Sequence, residues 1–370
     1  MSIDLNIFSL LILALIFQGI FASIILLIKN ENKAANRFLA ALSFIISLWL
    51  CDTFFRVSEI YQQLPDLYFL PIYFSFGFGP LIYFYTRFLT QKDGHLSRFD
   101  YIHFVPMLLQ GLFYAFLQLR SYAYRRDFWI EIHEPVTYDL ELALSFISLS
   151  IYLIFSRRLI VSYKKRIENS FSSTHKIALK WLDRLHLILF AVSFFWFLET
   201  ISRTVWGAYT VTPLSSITMG VIIVLIAVGA LLQSDLTGIK EEVETEPIDD
   251  KSPIALTTND REKLRRIEDM MAAKKPYLQS ELTLNEFAQQ LNLPARETSR
   301  LINQGLDLSF IDFVNQHRIA HFKSMAVDTA NQHLSLLGMA FESGFNSKST
   351  FNRVFKKMEG ESPSDFVNRS

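Results

Sequence analysis

The stretch SLLGMAFESGFNSKSTFNRVFKKMEGESPSDF, residues 335–366, decides the fold of the C-terminal part of the chain. Its apolar residues recur at a helical period, and serine stands where each helix would start. We predict one helix from Ser335 to Ser343 and a turn at Gly344-Phe345-Asn346. Ser347 then caps a second helix that reaches Met358. Two helices joined by a tight turn form a helix-turn-helix unit, which places its second helix in the major groove of DNA.

The exposed face of this second helix is polar and basic. No Asp or Glu lies between Glu342 and Glu359. Four positive charges on one helix suit the neutralisation of DNA phosphates. The residues predicted on this face are Lys348, Ser349, Asn352, Arg353, Lys356 and Lys357.

A second helix-turn-helix unit lies upstream. Thr283 is placed to cap a helix, and Glu286 to reach back to that cap. Asn292-Leu293-Pro294 forms the turn. A further helix is predicted from Ala295 to Gln304, with Arg296, Ser299 and Arg300 facing outward. A longer helix, from Ser309 to about Val327, connects the two units.

Over roughly the final hundred residues the chain resembles the C-terminal signature of the AraC/XylS-type bacterial transcription regulators. The matching positions are Ala340, Gly344, Phe345, Ser347, Ser349, Phe351, Arg353, Phe355, Lys356, Gly360, Ser362, Pro363 and Phe366. The resemblance implies two homeodomain-like helix-turn-helix units that read adjacent major grooves about one turn of DNA apart. It also implies a set of DNA-reading residues in each unit, called its reading set below. The first reading set is Arg296, Ser299 and Arg300, and the second is Lys348, Ser349, Thr350, Asn352 and Arg353.

The chemistry of these side chains suits reading of DNA. Arg can bind guanine through two hydrogen bonds, Asn can bind adenine in the same way, and Ser or Thr can contact a base or a phosphate. Lys356 and Lys357 are expected to contact DNA phosphates. The alternative for each residue is a backbone contact or a solvated side chain.

Two positions depart from the family pattern in the first unit. Thr298 stands where a buried leucine is usual, and Leu293 stands before Pro294 where a capping serine is common. We therefore expect the first unit to be less rigid than the second.

The rest of the chain is strongly apolar. The whole sequence is 51% hydrophobic and 19% charged, against about a quarter charged in ordinary soluble proteins. The first apolar run has no charge and would be about 36 Å long as a helix, enough to cross a hydrocarbon core of roughly 30 Å. We predict an all-α chain with seven transmembrane helices before the soluble helix-turn-helix domain. The seven stretches are 5–28, 38–57, 67–90, 101–120, 138–161, 184–206 and 214–233.

The basic residues favour one orientation of these helices. When each loop is counted together with the ends of its two adjoining spans, the first, third and fifth loops carry fourteen Lys and Arg, whereas the second, fourth and sixth carry five. Loops rich in basic residues stay in the cytoplasm. We therefore expect a multi-pass protein of the inner, cytoplasmic membrane, with its N-terminus outside and its C-terminal domain in the cytoplasm.

Two acid and base pairs lie near the outer ends of the second and sixth predicted spans. Asp52 precedes Arg56 by four residues, and Glu199 precedes Arg203 by four, so each pair shares a helix face. One hypothesis is a polar pocket for a small ligand, built from all four side chains. The other is structural ion pairs whose side chains reach the membrane surface.

The distribution of charge divides the chain into three regions. Residues 1–233 form the predicted transmembrane domain, and residues 261–370 form the predicted DNA-binding domain. Between them, residues 234–260 hold eight acidic and two basic residues, a composition that does not fold alone. This linker is either a solvated spacer or a competitor for the basic face of the domain when DNA is absent.

Together these patterns indicate a membrane-embedded, one-component transcription regulator. The expected partners are double-stranded DNA, the lipid bilayer, RNA polymerase and an unidentified small-molecule or membrane signal. One copy can hold a DNA site through its paired units, and a homodimer through the membrane helices is the alternative. The rival interpretation is that the apolar half is only an anchor or a transporter-like module.

An enzyme is not expected. The sequence lacks the His-Glu-x-x-His pattern of metalloproteases, the Gly-x-Ser-x-Gly pattern of hydrolases and a glycine-rich phosphate loop. We therefore predict no catalytic residue, no metal and no cofactor.

Overall fold

The computed structural model describes residues 6–91, 95–171, 180–206, 213–233, 257–331 and 333–369. Within these ranges the chain forms helices and connecting loops, without a β-strand, so the all-α prediction is confirmed. The chain divides into two compact units, described separately below. The apolar unit comprises Met1–Val161 and Leu179–Thr237, and the C-terminal unit comprises Ser162–Ala178 and Gly238–Ser370.

The apolar unit is built from long and short helices. Its α-helices are α1 (Ile7–Ile28), α2 (Lys33–Val57), α3 (Ile60–Gln63), α4 (Phe78–Thr90), α5 (Val105–Gln118), α6 (Tyr122–Phe128), most of α7 (Tyr138–Ser170), α8 (Lys180–Trp206) and α9 (Pro213–Leu232). A nine-residue π-helix, Trp129–Thr137, joins α6 to α7. Short 3₁₀ turns cover Pro65–Leu67, Ser75–Gly77 and Asp100–Phe104.

Among the residues that the structure describes, four helical stretches are long and apolar enough to cross a membrane. They are Ile7–Ile28, Lys33–Val57, the continuous stretch Tyr122–Ser170, and Trp181–Leu198 within α8. They correspond to the first, second, fifth and sixth predicted spans. The seventh corresponds to α9, which has 20 residues, but only Ile217–Leu232 qualifies there, as a shorter apolar helix.

The third and fourth predicted spans, 67–90 and 101–120, are not single long helices. Helix α4 has 13 residues and α5 has 14, about 20 Å each at 1.5 Å per residue and short of a hydrocarbon core of roughly 30 Å. The chain between Leu67 and Ser75 is not helical and contains Pro71, which cannot donate to a helical ladder. Pro80 lies in the first turn of α4, so it starts this helix instead of kinking a longer one.

Small residues bring α1 close to α2. A Cβ atom added at Gly19 would lie 2.1 Å from the Ser47 hydroxyl, so only glycine fits at this crossing. The Ser43 hydroxyl donates to the Gly19 carbonyl at 2.9 Å. Close approach of backbones with hydroxyl bonds between helices is the packing that membrane helices use.

The C-terminal unit contains seven further helices among its described residues. They are α10 (Thr258–Lys274), α11 (Leu284–Gln290), α12 (Ala295–Leu306), α13 (Phe310–Val327), α14 (Leu336–Glu342), α15 (Lys348–Glu359) and α16 (Pro363–Arg369). They enclose two apolar cores. Phe287 and Phe313 lie in the first core, and Phe322 and Phe355 lie in the second. Helix α13 contributes to both cores and therefore connects the two helix pairs.

The predicted caps are present at the helix starts. Thr283 and Glu286 form a capping box on α11, while Ser335 and Ser347 accept backbone N–H groups at the starts of α14 and α15. Helix α10 starts at Thr258 with its own capping box, inside the segment predicted as linker. The remainder of that linker, residues 234–256, lies outside the described residues.

Candidate nucleic-acid interface

The second helix-turn-helix unit consists of α14, a three-residue turn and α15. Gly344 in this turn has φ +91°, and a Cβ atom there would lie 2.3 Å from the Tyr277 carbonyl oxygen. Glycine is therefore required both by conformation and by space. Phe351, Val354 and Phe355 point into the second core, which orients the opposite face of α15 to solvent.

That opposite face presents most of the second predicted reading set. Lys348, Ser349, Asn352, Arg353, Lys356 and Lys357 are all exposed. Thr350 is half-buried, and its N–H donates to the Ser347 hydroxyl at 3.2 Å, so it takes part in the helix cap. The Lys357 ammonium lies 2.9 Å from the Asp312 carboxylate, in an exposed pair that DNA phosphates can replace at little cost.

The first predicted reading set is arranged differently on α12. Arg296 is exposed, as expected. Ser299 is only 7% exposed and accepts a hydrogen bond from the Asn303 amide at 3.2 Å. Its predicted outward position is therefore wrong, because α12 is packed on this side as well as at Leu301 and Ile302.

Arg300, the third member of that set, is engaged by α10. Its guanidinium donates to the Asp260 carboxylate at 2.5 Å and to the Gln304 side chain at 3.4 Å. The hydrogen bond from Arg300, with those from Thr257, lowers the pKa of Asp260 to about 2. Asp260 is therefore ionised at neutral pH and forms an ion pair with this arginine.

The helix that carries the reading set, called the reading helix, is α12 in the first unit and α15 in the second. These two helices also differ at their N-termini. Pro294 caps α12 without a side-chain hydrogen bond, whereas the Ser347 hydroxyl caps α15. A side-chain cap contributes about 1 kcal/mol to the stability of a helix.

Thr298 is fully buried, and its hydroxyl donates to the Pro294 carbonyl at 3.1 Å. The threonine that replaces the usual leucine therefore has a hydrogen-bond partner for its hydroxyl within its own helix.

Comparison with known protein families assigns the helix-turn-helix part of the chain to a family. A family model described as a helix-turn-helix domain matches residues 287–369. Residues 287–369 form an AraC-type DNA-binding domain. No curated protein and no solved structure matches the chain significantly.

Arg318 joins the two halves of the AraC-type domain, a role that was not predicted from the sequence. Its side chain is 2% exposed and donates to the carbonyl oxygens of Tyr277 at 2.8 Å and Gln279 at 2.7 Å. Its guanidinium also lies 5.9 Å from the centre of the Phe345 ring, in the turn of the second unit. Burial lowers the pKa of Arg318 to about 10, so it stays charged at neutral pH.

Arg318 thus fixes α13 against the segment before α11 and against the turn before α15. The signal that could have revealed it is a cation on an otherwise apolar helix face, next to Val314, Ile319 and Phe322. A buried cation needs partners, and backbone carbonyls supply them here.

Two residues of the candidate ligand pocket, Asp52 and Arg56, lie in the described part of the apolar unit. The Asp52 carboxylate accepts hydrogen bonds from Arg56 at 2.9 Å, Tyr61 at 2.7 Å and Tyr73 at 2.5 Å. The side chains of Glu199 and Arg203 lie outside the described residues. Three donors already surround Asp52, and this supports the interpretation as a structural ion pair.

Proposed function

We propose that the chain is a membrane-embedded, one-component transcription regulator whose AraC-type domain binds operator DNA in a sequence-specific manner. The observation that carries the DNA-binding part is the match over residues 287–369 together with the exposed basic face of α15. Helix α15 lies in one major groove, and α12 lies in the next groove about one turn away.

The side chains divide by role in this proposal. Arg353 and Asn352 contact base edges, because both can form the paired hydrogen bonds that distinguish bases. Lys356 and Lys357 contact phosphates and add sequence-independent affinity. Arg296 is the main base reader of the first unit, and Arg300 joins it after leaving Asp260.

Lipid contact is supported by the surface of the apolar unit. Phe17 and Phe21 on α1 are 62% and 64% exposed, and Leu109 and Leu112 on α5 are 60% and 66% exposed. Exposed apolar side chains of this size on a helix mark contact with lipid or another protein. Because α1 is also long and apolar enough to cross a membrane, we assign this surface to the bilayer.

The C-terminal domain is proposed to lie in the cytoplasm, where it meets DNA and RNA polymerase, with the N-terminus outside. Protease added to intact cells should leave the AraC-type domain whole, and protease added to inverted membrane vesicles should degrade it. Loss of the domain from intact cells would contradict this orientation.

The apolar unit is proposed to sense a signal and to change the affinity of the domain for DNA. Such a switch requires a ligand with different affinities for two states. The alternative is a plain anchor. Exchange of residues 1–233 for an unrelated membrane anchor distinguishes the two, since a reporter response that survives the exchange would favour the anchor.

The DNA-binding part can be tested with a soluble fragment of residues 255–370. Both apolar cores of the domain fall inside this fragment. We expect DNA affinity that falls steeply with salt concentration, because bound phosphates release counterions. Affinity that is indifferent to salt would contradict the proposed phosphate contacts.

A further inference from the structure

Phe69 has an unusual backbone conformation in the non-helical segment before α4. Its φ is +65°, in the left-handed region. The other described non-glycine residues with positive φ are the polar residues Asn32, Glu59, Lys275, Asn292 and Asp307. A bulky aromatic residue rarely adopts this conformation, and it persists only when the surroundings hold it.

An aromatic cage holds the Phe69 ring. The cage consists of Tyr114 on α5, Phe128 at the end of α6, and Trp129 and His133 of the π-helix. Their ring centres lie 6.2, 6.0, 5.8 and 5.5 Å from that of Phe69. Phe69 is 5% exposed, so its ring fills the cage as a bound aromatic molecule would.

The walls of the cage also contact each other. The His133 ring lies 5.2 Å from Trp129, 6.0 Å from Phe128 and 6.3 Å from Tyr114. Two of the four walls belong to a π-helix, a rare element that is frequent at functional sites. The walls therefore contact one another as well as Phe69, and Phe128 and Trp129 are half-buried.

The chain is fastened on both sides of Phe69. Before it, the buried guanidinium of Arg125 donates to the carbonyl oxygens of Asp66 at 2.8 Å and Tyr68 at 2.9 Å. After it, the Tyr73 hydroxyl donates to the Asp52 carboxylate of α2. Phe69 therefore lies four residues before a side chain that is bonded to α2.

We propose that the aromatic cage is a recognition site for the aromatic ring of a small molecule, and that Phe69 occupies it as a built-in competitor. Entry of the ligand ring releases Phe69 from its strained conformation and displaces Tyr73 from Asp52. This inference deepens the proposed sensing function and rests on it. The occupant is an aromatic ring, because the benzyl side chain of Phe69 already lies in the cage.

The test uses the full-length protein in detergent micelles and N-acetyl-L-phenylalanine amide, which reproduces the Phe69 side chain between two peptide bonds. Removal of a competitor raises apparent affinity. We expect Phe69→Ala to bind this probe saturably, at least tenfold more tightly than the unchanged protein, in isothermal titration. The melting temperature of the variant should rise with probe concentration.

Phe84→Ala is the matched control. Phe84 is also fully buried among aromatic rings, but it lies within α4 and outside the cage. Equal gains in the two variants would show that the probe merely fills any cavity and would overturn the proposal. So would an absence of saturable binding to a folded Phe69→Ala protein, or a preference of that variant for tetramethylammonium over the aromatic probe.

A second variant covers the case in which Phe69→Ala does not fold. Phe69→Leu keeps an apolar side chain but removes the ring, and it should gain affinity for the probe by a smaller factor. No gain in Phe69→Leu would again overturn the proposal. DNA binding by residues 255–370 involves none of these positions, so failure here is distinguishable from failure of the proposed regulator function.

Discussion

The two helix-turn-helix units of the AraC-type domain share an architecture but differ in how their reading helices are prepared for DNA. Helix α15 has a serine cap and an exposed basic face. Helix α12 has no side-chain cap, and Arg300 on it is bound to Asp260. Two similar motifs in one chain therefore need not contribute equally to DNA binding. We expect the second unit to supply most of the affinity and specificity.

The largest effect should come from the turn that places α15. Gly344→Ala adds a Cβ atom 2.3 Å from a backbone oxygen at φ +91°. We expect a loss of roughly 2–4 kcal/mol in the free energy of unfolding. The matched control is Gly360→Ala, which has φ +79° but open space around it and should cost about 1 kcal/mol. Urea unfolding of the 255–370 fragment measures both, and equal losses would refute the steric argument.

The second-largest effect compares how much the two reading helices contribute to operator affinity. Arg353→Ala should weaken operator binding by about 1–3 kcal/mol and relax base preference, as expected when paired hydrogen bonds to one base are lost. Arg296→Ala should cost less binding free energy, because its helix, α12, has no side-chain cap. Fluorescence anisotropy with operator and mismatched DNA checks this. A larger loss with Arg296→Ala would reverse the comparison.

A smaller effect concerns the ion pair that restrains α12. Asp260→Asn removes a negative charge and releases Arg300, so the first unit should come to resemble the second. We expect DNA affinity to rise about three- to tenfold, and the dependence on salt to steepen by roughly one released counterion. Asp312→Asn, next to Lys357, is the control and should change affinity less because that pair is exposed. Unchanged or weaker binding by Asp260→Asn would show that Asp260 does not compete with DNA.

The smallest effect is a pH dependence at the junction of the units. Burial lowers the pKa of His317 and of His321 below the ordinary value of 6.5. When pH falls below that value, the unfolded chain takes up protons that the folded domain excludes, so stability falls with pH. The fragment should melt at a lower temperature at pH 5.5 than at pH 7.5, and His317→Phe should reduce the difference. Identical melting curves for the fragment at both pH values would contradict the assigned direction.

Local features of the AraC-type domain could be predicted from the sequence. The caps at Thr283, Ser335 and Ser347 and the turn at Gly344 depend on residues within one helical turn of each other, so the sequence pattern is sufficient to locate them. The basic face of α15 followed from the helical period in the same way.

Features that depend on distant residues could not be predicted in this way. The pair of Asp260 with Arg300 spans forty residues, and the bonds from Arg318 to Tyr277 and Gln279 join α13 to the distant segment before α11. Ser299 is buried by packing that a single helical pattern does not show. In the apolar unit, hydropathy did not distinguish one long helix from the turns and short helix that cover residues 67–90.

The most direct test of the central claim is a hydroxyl-radical footprint of the 255–370 fragment on its selected operator. Two protected patches should lie about one helical turn, or ~10 base pairs, apart. The patch assigned to α15 should survive in Arg296→Ala, and both patches should be lost in Arg353→Ala. A footprint that survives Arg353→Ala but disappears in Arg296→Ala would contradict the leading role of the second unit.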